Sequence, residues 1–200
     1  KSREGTIVDA DDLLDSLHAD ALCAIKERGR DEQVGDADDV AEKVALGALH
    51  YYLLQATPIK DMLFNPEESL SFNGNTGPYL QYMGARINSI LAKASESGIK
   101  IDSSDEAVAL LSGEDEWALI KQLGDFPSVV KRAAENLDPS CVAVYLYDTA
   151  KLFSKFYQNC SILNAENSML AGARLYLANC TLTVIKNAMN LVLVPYLEKM

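Results

Sequence analysis

The chain has 200 residues, enough for one large domain or two small ones, and 48% of them are apolar, enough for a sizeable core. Taken at face value, its net charge of −11 argues against a nucleic-acid binder. The acid is concentrated at the front, since residues 1–72 hold 16 acidic and 7 basic side chains, whereas residues 145–200 hold 3 and 5. A small basic surface in the second half can therefore still meet a phosphate backbone.

The cysteines and histidines do not point to a metal site, because no two cysteines have a C-x-x-C spacing and the two histidines match no zinc pattern. The four cysteines are Cys23, Cys141, Cys160 and Cys180. We predict that they are small core residues in a reducing cytosol. No apolar run approaches the length of a membrane span, and the charged start KSREG does not read as a signal peptide. We therefore expect a cytoplasmic monomer with no membrane partner.

The first third of the chain predicts a short strand followed by two helices. Thr6–Val8 reads as the strand, and Asp9 as the N-cap of a helix that ends near Gly29. A polar link leads to a second helix over 37–55, which Pro58 terminates. Residues 59–73 read as irregular, and we place a domain boundary between residues 60 and 61.

The remaining sequence is patterned as helix almost throughout. The predicted helices cover residues 76–97, 103–112, 114–124, 126–136, 138–160 and 166–194. Candidate caps are the capping box Ser103–Glu106 and the pair Asp138 and Pro139. Asn75 is either an N-cap or a residue that holds the loop. The predicted fold is all-α, a helical bundle with at most a short strand at Thr6–Val8 or Asp61–Phe64.

The stretch GNTGPYLQY, residues 74–82, opens a helix with two distinct faces. At 100° per residue, its core stripe is Leu80, Met83, Ile87, Ile90, Leu91 and Ala94. An adjoining stripe carries Tyr79, Tyr82, Arg86 and Lys93. Aromatic rings can stack on bases and a guanidinium can pair with phosphate, which favours RNA binding. The alternative is that the tyrosines cover the rim of the core and Arg86 pairs with a carboxylate.

Two later helices carry further candidate faces. On the helix 138–160, Tyr147, Lys151 and Lys155 recur at four-residue spacing, as an RNA-binding face or a solvated one. Its predicted core stripe is Val142, Tyr145, Leu146, Thr149, Phe153, Phe156 and Cys160. The last helix is predicted to bury Leu170, Ala173, Leu177, Cys180, Val184, Ala188 and Leu191. It is predicted to turn Arg174, Thr183, Lys186 and Asn190 outward.

No motif for catalysis stands out. The sequence has no Walker A loop, no G-x-S-x-G and no supported Cys/His pair. Acidic pairs such as Asp11 and Asp12 lie at helix starts, where they favour the helix dipole. A helical chain without a polar constellation is more typical of a binding module than of an active site.

Residues 45–90 resemble the arginyl-tRNA synthetase family, a class I synthetase family. The resemblance is carried by a D-x-x-F segment at Asp61–Phe64, by GNTGPYLQY, and by Arg86 four residues beyond the last tyrosine. Residues 119–163 are similar to the helical anticodon-binding, or DALR, domain of that family. The resemblance implies that Tyr79 and Arg86 meet the anticodon loop of arginine tRNA. Tyr82, whose spacing also suits helix packing, and the lysines Lys93, Lys151 and Lys155, which helical spacing singles out, are further tRNA-binding candidates. The terminal Met200 also resembles the family and is a further tRNA-binding candidate.

The front of the chain, KSREGTIVDADDLL, is similar to the tail of the family's KMSKS-type loop. The resemblance implies that Lys1, Ser2 and Arg3 belong to a loop that steadies ATP phosphates, with ATP and Mg²⁺ as cofactors of the full-length enzyme. Residues 1–60 would then be the end of the catalytic core with stem-contact helices, and residues 61–200 the DALR domain. Because the HIGH-type motif and the arginine pocket are absent, we expect no arginine activation by this chain alone, and no cofactor or metal bound to it.

Two functions remain open from the sequence. The first is the tRNA-recognition portion of an arginine–tRNA ligase. The second is a helical protein–protein scaffold without RNA binding, which the acidic front favours slightly. A tRNA affinity that falls with salt would separate them.

Overall fold

The computed structural model describes residues 9–27 and 35–200. Its helices are α1 Ala10–Glu27, α2 Ala37–Leu54, α3 Pro66–Ser69, α4 Gly77–Glu96, α5 Asp105–Val108, α6 Glu114–Gly124, α7 Phe126–Asn136, α8 Ser140–Asn159 and α9 Ser168–Leu191. These ranges contain no strand, so the all-α prediction is confirmed. The predicted strand Thr6–Val8 lies outside the described residues, and Asp61–Phe64 is irregular.

Side-chain caps fix most helix starts, although three of the observed caps differ from the predicted ones. Thr76, and not Asn75, caps α4 by accepting the N–H of Tyr79. Ser104, and not Ser103, caps α5, which is a single turn and not the predicted helix over 103–112. The Asp138 carboxylate accepts the N–H of Ser140, but the N-cap of α8 is Pro139 and not the predicted Asp138, so this cap is shifted by one residue.

The main core is built around α9, against which α4, α5, α6 and α8 pack. Its largest fully buried side chains include Tyr51, Leu80, Met83, Ile87, Leu119, Leu146, Phe153, Phe156, Leu175, Ile185 and Met189. Each such side chain stabilises the fold by about 1.5–3 kcal/mol relative to an exposed one. The predicted core stripes of α4 and α8 are therefore confirmed, apart from the half-buried Leu91 at the edge of the core.

The helix α9 is apolar over most of its circumference. By length and mean hydropathy it could cross a membrane, contrary to the expectation that no apolar run approaches that length. Half of its most apolar window is buried inside the bundle, which accounts for the composition. Of the predicted stripe, Ala173, Leu177 and Ala188 are buried, whereas Leu170, Cys180 and Val184 are only half-buried. Leu191 is 49% exposed because α9 ends there and the chain turns back.

Arg174 on α9 also differs from its predicted outward position. Its Nε donates to the Glu116 carboxylate at 2.7 Å, and its Nη1 donates to the carbonyl oxygen of Ser161 at 2.7 Å. Glu116 is buried and also accepts the N–H of Gly113 at 2.8 Å. Removing one partner of a buried pair costs about 3–5 kcal/mol, so this pair ties α6 to α9.

A smaller apolar cluster joins α1, α2 and the C-terminal tail, which comprises residues 192–200. Its buried members are Ala21, Ile25, Val40, Ala41, Val44 and Leu197. Of the cysteines, Cys160 is buried in the main core, but Cys23 on α1 is exposed, so the prediction that all four are core residues is wrong. Cys23 falls on the solvent side of α1, because that helix packs only one face against α2.

The tail returns along α4. Gln81 is fully buried, and its Nε2 donates to the carbonyl oxygens of Lys43 at 2.8 Å and Pro195 at 2.9 Å. One turn on, a Cβ at Gly84 would lie 2.8 Å from the ring of Tyr196. The side chain of Asn88 donates to the carbonyl oxygen of Glu198 at 3.2 Å. One face of α4 is thus covered by the tail.

Candidate nucleic-acid interface

The stretch GNTGPYLQY is mostly used to hold α4 in place. A Cβ at Gly77 would overlap the carbonyl oxygen of Gly47, so α2 and α4 cross in direct backbone contact. The Tyr51 hydroxyl lies 2.5 Å from the Asn75 side-chain oxygen, and burial raises the pKa of that hydroxyl, which keeps it neutral. Asn75 therefore holds the loop, and Pro78 occupies the first turn. These contacts fix the direction in which the tyrosines of the stretch point.

The other face of α4 forms a seam with α8. The rings of Tyr79 and Tyr147 meet edge to face with centroids 5.9 Å apart. Further along, the Arg86 guanidinium lies 4.8 Å from the ring centroid of Tyr157. Of the predicted stripe residues, Tyr79 and Tyr147 therefore meet across this seam, and Arg86 joins it through Tyr157, which the sequence did not single out. The carboxylate partner considered for Arg86 is replaced by an aromatic ring.

A cleft of about 570 Å³ opens beside this seam, and we call it the Tyr79 cleft. Its walls come from α4, α6 and α8, and its lining is Tyr79, Gln122, Asp148, Lys151, Leu152, Ser154, Lys155 and Gln158. Three predicted site residues, Tyr79, Lys151 and Lys155, thus line one cavity. The half-buried ring of Tyr79 is held by its neighbours and needs little ordering before a base stacks on it.

The two lysines of the cleft differ in how they are engaged. The ammonium of Lys155 donates to the Asp115 carboxylate at 2.8 Å. The bond lowers the pKa of Asp115 and raises the pKa of Lys155. Lys151 is exposed, and its Nζ lies 5.3 Å from the ring centroid of Tyr147. Lys151 is therefore the cation more readily offered to an anion.

The remaining predicted site residues lie elsewhere. Tyr82 is 37% exposed on α4, and Lys93 is exposed in the last turn of the same helix; neither lines the cleft. Met200 packs against the cluster of α1, α2 and Leu197. The candidates Lys1–Arg3 lie outside the described residues.

Sequence reasoning missed the polar wall of the cleft. The Gln122 amide donates to the Thr149 hydroxyl at 3.2 Å, and the Tyr145 hydroxyl donates to the carbonyl oxygen of Gln122 at 2.8 Å. Burial raises the pKa of Tyr145 to about 12, so the hydroxyl remains a neutral donor. Gln122 and Asp148 carry no periodic signal, since only the packing of α6 on α8 brings them together. Within residues 9–27 and 35–200, no three His, Cys, Asp or Glu side chains are grouped to hold a metal ion.

Comparison with known proteins agrees with this geometry. A family model described as the DALR anticodon binding domain matches residues 80–200. The arginine–tRNA ligase of Treponema denticola is 56% identical over 202 residues, which covers 100% of this chain and 34% of that protein. The arginine–tRNA ligase of Treponema pallidum is 53% identical, with the same coverage.

Solved structures give the same result. The arginyl-tRNA synthetase of Thermus thermophilus superposes with a TM-score of 0.87 and 30% identity, covering 98% of this chain and 33% of that one. The enzyme from Plasmodium falciparum superposes with a TM-score of 0.81 and 26% identity, covering 97% of this chain and 34% of that one. The chain thus spans about a third of the length of the relatives that it matches, and the resemblance identified from its sequence is confirmed.

Proposed function

The chain belongs to the DALR anticodon-binding domain family, and from this premise we propose that it is the tRNA-recognition portion of an arginine–tRNA ligase. It binds the anticodon stem–loop of arginine tRNA, with unpaired loop bases entering the Tyr79 cleft. Residues 1–60 form the end of the catalytic core and the stem-contact helices, and residues 61–200 the DALR domain. We further propose that the protein is monomeric and acts in the cytoplasm.

The observation that carries the proposal is the meeting of Tyr79, Lys151 and Lys155 in one cleft. Sequence-specific RNA recognition mostly targets unpaired loop bases, which stack on aromatic rings while cations meet the phosphates. Tyr79 offers the ring and Lys151 an exposed ammonium. The basic excess of residues 145–200 lies in the same part of the chain, which reconciles RNA binding with a net charge of −11. The alternative, a helical scaffold without RNA binding, has no support in the comparisons.

The relatives are about three times as long as this chain. In this proposal, the part that the chain does not span activates arginine with ATP and Mg²⁺ and transfers it to tRNA. Lys1, Ser2 and Arg3 would add cationic and hydroxyl groups near the ATP phosphates. The described helices have the positioning role: they hold the anticodon end of the tRNA so that its acceptor end reaches the active site.

The proposal is tested by titrating arginine tRNA against the folded chain at several salt concentrations. Losing a stacked base costs about 1–3 kcal/mol, so Tyr79→Ala should weaken binding about five- to hundredfold. Arg86→Ala should also weaken binding, with little change in melting temperature. Tyr176→Ala is the matched control, because Tyr176 is a half-buried tyrosine on α9 outside the cleft.

Two outcomes would contradict different parts of the proposal. If the parent chain shows no salt-dependent affinity for arginine tRNA, the function itself is wrong. If the parent binds but Tyr79→Ala binds equally well, RNA is bound elsewhere and the cleft is not the interface.

A further inference from the structure

The Tyr79 cleft does not end at its inner wall. Gln122 on α6 and Asp148 on α8 line it, and the same two residues also line a second cavity of about 340 Å³. The second cavity is bounded by α6, α7 and α8, and its other lining residues are Asp125, Ser128, Val129, Arg132, Cys141, Val144 and Tyr145. We call it the Arg132 chamber. The two cavities are neighbours that share Gln122 and Asp148 as their partition, and we call the pair the groove.

The floor of the Arg132 chamber is held by a ring contact and by hydrogen bonds. The ring of Tyr145 is stacked on Phe126 with centroids 5.3 Å apart, and its hydroxyl is bonded to the carbonyl oxygen of Gln122. The Gln122 amide is bonded in turn to Thr149. Val129 and Tyr145 are buried, whereas Ser128, Arg132 and Asp148 are exposed. Fixed apolar surface therefore lies beneath polar groups that a ligand can reach.

The charges of the chamber are mixed. Arg132 is its only cation, and it forms no ion pair or ring contact with any residue in the described ranges. Asp125 and Asp148 supply two carboxylates, and Ser128 a hydroxyl. A bare phosphate would be repelled by the carboxylates everywhere except next to Arg132. A base with an exocyclic amino group suits them, because carboxylates accept hydrogen bonds from the amino group of cytosine and its analogues.

We infer that the Arg132 chamber is a second nucleotide-binding subsite, which takes an amino-bearing base adjacent to the one in the Tyr79 cleft. Arg132 pairs with the phosphate of this nucleotide, and Asp148 on the partition accepts a hydrogen bond from the amino group of its base. The inference rests on the proposed function, since it requires an unpaired RNA loop lying along the groove. It adds α7, and with it Arg132, to an interface otherwise built from α4, α6 and α8.

Arg132 has a close control on the same helix. Lys131 is its neighbour, is also exposed, and forms an ion pair with Glu135 at 3.8 Å outside the chamber. Arg132→Gln and Lys131→Gln each remove one positive charge from α7. We expect Arg132→Gln to weaken binding of an arginine anticodon stem–loop about three- to tenfold and to reduce the salt slope by about 1. Lys131→Gln should change affinity less than about twofold.

The base preference is tested with Asp148→Asn. Each unpaired base of the stem–loop is replaced in turn by uracil, and the parent should lose about five- to hundredfold in affinity at the position that enters the chamber. Asp148→Asn should remove that discrimination and leave the other positions unchanged. The melting temperatures of all variants are measured first, because a folded variant is needed for each comparison.

The outcomes separate this inference from the function on which it rests. A parent chain that does not bind the stem–loop overturns both. A parent that binds, with Arg132→Gln and Lys131→Gln equally strong binders, overturns the subsite alone. If Asp148→Asn and the parent lose the same affinity at each uracil replacement, the assignment of the base contact to Asp148 is wrong.

Discussion

The two sides of α4 are built on different principles. The side toward α2 and the tail carries Gly77, Gln81, Gly84 and Asn88. The side toward α8 and solvent carries Tyr79, Tyr82, Arg86 and Lys93. On the first side, the backbones of α2 and α4 touch at Gly77, and the buried Gln81 amide bonds two backbone carbonyl oxygens. Only one residue type therefore fits at each of these positions. On the second side long side chains lie over other side chains, so changes can be accommodated. One nonapeptide therefore serves both the fold and the proposed RNA contact.

The largest effect should come from Gly77→Ala. Its Cβ would overlap the Gly47 carbonyl oxygen, and because that atom is backbone, relief requires α2 and α4 to separate. Overpacking typically costs about 1–3 kcal/mol, and this rigid contact belongs at or above the upper end. For a chain of this size, about 3 kcal/mol lowers the melting temperature by roughly 6–12 °C, measurable by circular dichroism.

Gly124→Ala is the control for that measurement. Gly124 ends α6, and a Cβ there would meet nothing within 4 Å. Alanine should therefore leave the melting temperature unchanged or raise it slightly. Equal melting temperatures for Gly77→Ala and the parent would show that the locked side of α4 can adjust.

The next effect should come from Gln81→Leu, which removes the amide between α2 and the tail. The carbonyl oxygens of Lys43 and Pro195 lose their buried donor, at a cost of about 1–3 kcal/mol for an unsatisfied group. Leucine also removes the Gln81 side-chain oxygen, which is buried without a partner in the described structure, so we expect a net loss of only about 2 kcal/mol.

Hydrogen exchange locates that loss. Amides of residues 192–200 should exchange faster in Gln81→Leu, while those of α8 change only with global stability. Gln158→Leu, at an exposed position of α8, is the matched control and should leave tail exchange unaltered. Uniform acceleration over the whole chain would mean that Gln81 is an ordinary core residue and no specific link to the tail.

Local sequence signals predicted the helices but not their long-range partners. Seven of the eight predicted helices begin and end within about three residues of the observed ones, because caps and prolines act over one turn. The long prediction over 103–112 fails since only Ala107 and Leu111 there reach the core, and one turn suffices to bury them. The end of α9 was overextended because the tail is as apolar as the helix that precedes it.

The candidate site was predictable only in part for the same reason. Helical spacing grouped Tyr79 with Arg86, and Lys151 with Lys155, yet nothing in the sequence tells that Tyr79 meets Tyr147 across 68 positions. Arg174 was predicted outward because it is charged, whereas Glu116, 58 residues away, buries it. Gln81 has no apolar signal, and its burial depends on the path of the tail. Helical periodicity cannot predict the role of a residue when that role depends on a partner far away in the sequence.

The smallest effect concerns the two lysines of the Tyr79 cleft, which differ in how readily they can bind an anion. Lys155 and Asp115 hold each other, whereas Lys151 faces solvent. Lys155→Met should let the pKa of Asp115 rise toward its ordinary value of 3.8, since the Lys155 hydrogen bond is the largest cause of its depression. Lys151→Met is the control and should leave the pKa of Asp115 lowered. Carboxyl carbon shifts followed by NMR against pH measure both.

The sign of the pH dependence follows from the two shifts. Asp115 has a lowered pKa when folded, so its contribution to stability is present above about 3.8 and is lost as pH falls through the folded value. Lys155 has a raised pKa, so its contribution is present below about 10.5 and is lost as pH rises through the folded value. The stability difference between the parent and Lys155→Met should therefore form a plateau near neutral pH and vanish in strong acid.

Because RNA must compete with Asp115 for Lys155 but not for Lys151, Lys155→Met should weaken tRNA binding less than Lys151→Met does. The reverse order would mean that the ion pair opens when RNA binds.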